Sequence, residues 1–139
     1  MAEVSSPEKV AFDLIAPERT LVSAEVDMVV VPGAAGDFGV LPQHSLLLSL
    51  LRPGVIEVYK GSEVSRRIFV GGGFAEVHER GCTVLAEEAM PVSEIDLARA
   101  RQRLSDGQDD LKEAKDDLER AHAEREIAIA EAQIQAAEA

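Results

Sequence analysis

Asp96, Arg99 and Arg103 have the spacing in this chain best suited to gripping a charged ligand. On a helix Asp96 and Arg99 share a face, and Arg103 follows Arg99 by one turn, so two guanidinium forks can close on one phosphate. The competing reading is an Asp–Arg pair within the helix, worth a few tenths of a kcal/mol.

The other reactive residue types do not assemble. His44, His78 and His122 stand apart from one another and from Cys82, with no zinc-site spacing. Ser45 beside His44 points to the opposite face of a strand. No orienting acid, oxyanion hole or pocket is signalled around that pair. Glu87-Glu88 diverge in the same way and read as a solvated edge. Gly71-Gly72-Gly73 lacks the Lys-Ser/Thr of a phosphate loop and runs into a strand, so it reads as a close-approach point or bulge. No catalytic or metal-ligating residue is assigned.

The most shaped segment is Gly36-Asp37-Phe38-Gly39-Val40-Leu41-Pro42-Gln43-His44. Its glycines open backbone conformations closed to other residues, and Pro42 cannot sit inside a paired strand. It reads as a corner that presents Asp37 and His44 for docking.

The elements that position these residues fall into two regimes. From Val10 to Ala89, short β-branched runs alternate with turns: Val10–Ala16, Leu21–Val31, Phe38–Leu41, Leu46–Leu51, Val55–Lys60, Glu63–Val70, Phe74–His78 and Cys82–Ala89. Pro53-Gly54, Gly61-Ser62 and Glu79-Arg80-Gly81 are the breaks. This pattern predicts an antiparallel β-sandwich over residues 1–91. Leu21–Val31 reads as one long strand that bends to serve both sheets.

Residues 92–139 change to helical periodicity. Ser93-Glu94-Ile95-Asp96 reads as a capping box, and Ser105-Asp106-Gly107 as a break. The expectation is a two-helix antiparallel hairpin, roughly 94–105 and 109–136, following an all-β domain. Leu97, Leu104, Leu111 and Leu118 recur every seven residues straight through Gly107. A continuous helix with those leucines as its seam is therefore also open, at a glycine penalty of about 1 kcal/mol.

The net charge of −12 over 139 residues is divided evenly, −6 before residue 92 and −6 after it. That excludes a nucleic-acid backbone or an anionic lipid surface as partner. A single cysteine permits no internal disulfide. The amino terminus has no apolar signal core, and no run approaches the ~20 apolar residues of a membrane span.

The corner, the stretch Gly72-Gly73-Phe74-Ala75-Glu76-Val77, the run Val84-Leu85-Ala86-Glu87 and the helix opening Ile95-Asp96-Leu97-Ala98-Arg99-Ala100 occur in that order. Together they resemble the epsilon subunit of the bacterial F-type ATP synthase, the counterpart of the mitochondrial delta subunit. The resemblance covers Val10 to about Ala130. It implies a non-catalytic rotor subunit that links the gamma subunit to the c-ring at the cytoplasmic face of the bacterial inner membrane. Gly36, Asp37, Phe38, Gly39, Leu41, Pro42 and His44 map onto the family's ring-facing corner.

The resemblance also implies a mobile hairpin that can meet the catalytic alpha and beta subunits and restrain ATP hydrolysis. A regulatory ATP is implied at Ile95, Asp96, Arg99 and Ala100, which match the family's nucleotide motif; the one-turn spacing adds Arg103, with Arg120 or Arg125 as partners from the second helix, and no cofactor is required. One departure stands out. Residues 108–139 carry 4 basic groups against 10 acidic ones, where the family's inhibitory arm is basic, so weak inhibition is expected. The alternative function is a free-standing sandwich adaptor whose helical tail recruits a partner protein.

Overall fold

Val10, Phe12 and Leu14 are buried while Ala11, Asp13 and Ile15 face outward. That alternation, repeated in strand after strand, builds the first unit. The computed structural model describes residues 9–42 and 46–139. It divides into two units, one ending at Pro91 and one beginning at Val92.

The first unit comprises β1 (Val10–Ile15), β2 (Thr20–Val26), β3 (Met28–Gly33), β4 (Gly36–Val40), β5 (Leu47–Leu51), β6 (Gly54–Lys60), β7 (Glu63–Val70), β8 (Gly73–His78), β9 (Gly81–Ala86) and β10 (Ala89–Pro91). Hydrogen bonds join them in the order β10-β7-β6-β3-β5-β8-β9-β1-β2, with β4 on β3. Residues of β1 through β9 share one apolar core, including Phe12, Leu14, Val31, Ile56, Ile68, Val77 and Val84. The sheet thus closes over itself as the sandwich that the alternation predicts.

Three details depart from the expectation. The run Leu21–Val31 is two strands, broken at Asp27. There the carboxylate pairs with Lys9 and accepts the Gly61 N–H at 2.6 Å, which holds the bend. The run Cys82–Ala89 likewise divides into β9 and β10. Finally, β1 and β9 pair in parallel, from Ala11↔Gly81 to Ile15↔Leu85. Nearly the whole unit connects these two strands, so no tight turn dictates an antiparallel partner. The triglycine is the close approach that its sequence suggests. Gly73 has φ +128°, and a Cβ there would lie 2.1 Å from the Leu85 carbonyl oxygen.

In the second unit a 3-10 turn, Val92–Glu94, precedes α1 (Leu97–Glu113) and α2 (Asp117–Glu138). The cap of α1 is Asp96, which accepts the Arg99 backbone N–H at 3.2 Å; Ser93 lies within the 3-10 turn. No break occurs at Ser105-Asp106-Gly107, because α1 runs through it. Gly107 is buried, and a Cβ there would sit 3.0 Å from Ile127 Cγ1 and 3.6 Å from the Ala123 oxygen. The glycine lets α2 approach, and that contact offsets its propensity cost of about 1 kcal/mol.

The chain reverses at Ala114–Asp116 instead. Asp116 accepts the Glu119 N–H at 2.7 Å, and the Glu119 side chain accepts the Lys115 N–H at 2.9 Å, a reciprocal cap that starts α2. The seam between the helices is built of small residues, Ala100 and Gly107 facing Ala123 and Ala130, all buried. The heptad leucines are not that seam. Leu97, Leu104 and Leu111 are half-buried, and Leu118 is 80% exposed.

Candidate functional site

The corner is the β3–β4 hairpin, paired Val31↔Phe38, Pro32↔Asp37 and Gly33↔Gly36. Gly36 turns the chain with φ +140°. Phe38 packs its ring against the core, Gly39 and Leu41 are exposed, and Pro42 is half-buried. Asp37 is exposed and paired with Arg52, whose Nη1 donates to the Gly33 carbonyl at 2.6 Å. Arg52 escapes sequence reading because it lies 15 residues from Asp37. Only the pairing of β3 with β5 at Gly33↔Leu51 brings them together. His44, assigned to the corner from sequence, lies outside the described residues.

A second surface is also invisible in the sequence. Leu50 pairs with Phe74, Phe74 with Leu85, and Leu85 with Ile15. These four side chains form a row across β5, β8, β9 and β1 on the outer face of the sheet. Their exposures are 71%, 38%, 40% and 36%, and Leu48, on the outer face next to Leu50, is 69% exposed. Cross-strand partners stand about 5 Å apart, so the row is one continuous apolar strip. A contiguous apolar strip at the surface is the kind of feature through which proteins dock. The available signal was that β5 is apolar at outward as well as inward positions.

The helical unit does not gather its ligand candidates. Asp96 spends its carboxylate on the cap, Ala100 is buried in the seam and Ile95 is half-buried. Arg99 is exposed on the first turn of α1. Arg103 is engaged by both carboxylate oxygens of Glu126, at 2.8 and 3.1 Å. Arg120 pairs with Asp117 of its own helix at 2.9 Å. Arg125 lines a cleft of about 470 Å³ near the interhelix turn, with Asp110, Glu113, Leu118, Glu119 and His122. Ile127, two residues beyond Arg125, faces Gly107, which is eight residues and about 12 Å of helix from Arg99. Arg99 and Arg125 therefore stand at different levels of the hairpin.

Two carboxyls and a thiol among the described residues depart from their ordinary ionisation. Arg103 holds the Glu126 carboxyl below the usual glutamate range through its hydrogen bonds. Lys9 and the Gly61 N–H do the same for Asp27. Burial pushes the Cys82 thiol up to about 12. Among the described residues, no three His, Cys, Asp or Glu side chains form a metal-binding group, and no helix is long and apolar enough to cross a membrane.

A β-sandwich with an apolar strip and a shaped corner, followed by a helical hairpin, is a docking module. Residues 9–92 match the family described as ATP synthase, Delta/Epsilon chain, beta-sandwich domain, and the chain belongs to that family. The ATP synthase epsilon chain of Rhodospirillum rubrum is 54% identical over 104 residues, covering 75% of this chain and 78% of that one. Its namesake in Paramagnetospirillum magneticum is 54% identical over 98 residues, covering 69% and 74%.

Solved structures agree on the fold. A chain in the cryo-EM structure of the Euglena gracilis mitochondrial ATP synthase, OSCP/F1/c-ring, superposes with a TM-score of 0.79 at 23% identity, covering 97% of this chain and 84% of that one. One in the Tetrahymena thermophila central stalk/c-ring structure gives 0.71 at 16% identity, covering 97% and 99%.

Proposed function

We propose that this chain is a non-catalytic central-stalk subunit of a proton-translocating F-type ATP synthase, linking the gamma subunit to the c-ring. The observation that carries the reading, beyond family membership, is the outward strip Leu50–Phe74–Leu85–Ile15. In the proposed assembly the strip takes the foot of the gamma subunit, and the corner from Gly36 to His44 meets the polar loops of the ring. Torque passes through the sandwich, whose dense core of branched aliphatics resists deformation. The chain then sits at the cytoplasmic face of the bacterial inner membrane, held there by its partners and inserting nothing itself.

The hairpin is the regulatory part, restraining hydrolysis weakly. Its second half is acidic, and like charge opposes docking on acidic segments of the catalytic alpha and beta subunits. A chain ending at residue 92 should therefore leave hydrolysis by the reconstituted catalytic head nearly unchanged, and a large rise would overturn this part of the reading.

A pull-down with a gamma subunit tests the main assignment. The full chain is expected to bind, and the pair Leu50→Asp and Phe74→Asp to lose binding by tenfold or more, since burying each side chain is worth about 1.5–3 kcal/mol. A free-standing adaptor predicts no affinity for gamma in either form.

A further inference from the structure

Arg103 and Glu126 lie 23 residues apart and meet across the two helices as a two-pronged pair, Nε to Oε1 at 2.8 Å and Nη2 to Oε2 at 3.1 Å. This is the arrangement in which a guanidinium grips phosphate. The side chains are only 27% and 28% exposed. A second interhelical pair, Arg101–Glu138, is more open, at 61% and 51% exposed, and Arg120–Asp117 lies within α2. Glu126 is also anchored by packing, because its neighbour Ile127 fills the space beside Gly107.

We propose that Glu126 supplies to Arg103, from within the chain, the anion that a bound nucleotide would otherwise supply, so that the hairpin closes on its own carboxylate and needs no ATP. Of the remaining charged residues of the implied nucleotide site, Arg99 is exposed on the first turn of α1 and the others are engaged or flanked by acids. The Asp96 carboxylate caps α1, Arg120 is held by Asp117, and Arg125 lies among Asp110, Glu113 and Glu119. A triphosphate placed on the Nε–Nη2 edge of Arg103 must displace Glu126, and one placed elsewhere on that guanidinium lies beside the carboxylate, like charge against like. With Arg103 taken and Arg125 flanked by acids, Arg99 is left without a converging set of cations, and the residues present fit a triphosphate poorly.

Amide hydrogen exchange on the full-length chain tests this. Protection of α1 and α2 is expected to be the same with and without millimolar ATP. Glu126→Ala is expected to lower protection around residues 103–127 by about tenfold, the loss of one charge-assisted pair. The double exchange Arg103→Glu with Glu126→Arg guards against a variant that merely misfolds, and it should regain most of the protection that either single change loses. A rise in wild-type protection on adding ATP would overturn the proposal, as would unchanged protection in Glu126→Ala or a double exchange no better than the single ones. The isolated chain suffices, so the outcome is independent of binding to gamma.

Discussion

Arg52 spans the base of the β3–β4 turn, holding Asp37 in an ion pair while donating to the Gly33 carbonyl at 2.6 Å. The acid of the corner is thus presented by a second strand, and the arginine balances its charge. The corner therefore offers shape and hydrogen bonding more than net charge.

We predict that Arg52→Ala lowers stability by less than about 1 kcal/mol, because the pair is exposed. Binding to the c-ring should weaken while binding to gamma persists. Thermal unfolding and paired pull-downs check both, and loss of gamma binding would show that the corner and the strip are not separate surfaces.

The position of Gly107 gives a size-graded test. A methyl there meets a side-chain atom of Ile127 at 3.0 Å. Strain and the ~1 kcal/mol gain in helix propensity then oppose each other, so Gly107→Ala should be nearly neutral. Gly107→Leu has nowhere to go and should separate the helices, costing about 1–3 kcal/mol. Urea unfolding followed through the helical signal distinguishes the two variants.

Glu126 sets a pH dependence. Its folded pKa lies below the ordinary value of 4.5, so its contribution is fully present above that value. It is lost as the pH falls through the lower folded value. Helical content followed from pH 7 downward should hold to about 4.5 and then decline, and Glu126→Gln should flatten that decline.

Cys82 is fully buried in the sandwich, and its thiol is raised to about 12. Thiolate is the reactive form, so a disulfide reagent should modify the folded chain far more slowly than the chain in denaturant. Equal rates would mean that β9 parts readily from β8 and β1.

The sandwich was legible because its period is strict. Val10, Phe12 and Leu14 in β1 alternate inward, as do Ala75 and Val77 in β8, and turns of Gly and Pro punctuate them. The break at Asp27 was not legible, since its cause is a carboxylate bonded to Lys9 and Gly61, distant in sequence. Helix boundaries failed for a different reason. Glycine at 107 looked like a terminator when propensity was weighed alone, but its missing side chain is what the second helix packs against. The true start signal, Asp116 with Glu119, lay in plain view within an acidic run. The heptad of leucines misled because alanine and glycine can build a tighter seam. Arg52 and the apolar strip depend on register between strands, which no linear pattern encodes.

The parallel pairing of β1 with β9 has a consequence for how the chain is made. The first strand leaves the ribosome with β2 as its only sequence-local partner, and its other edge stays open until Gly81–Ala86 has been synthesised. Closing that contact joins the two ends of the sandwich across its full length, a slow and late event. Until then an apolar ribbon is exposed to neighbouring nascent chains. A partner bound on the proposed strip would have to wait for completion of the sandwich, because Ile15 and Leu85, half of that strip, come into register only when the last long strand has docked.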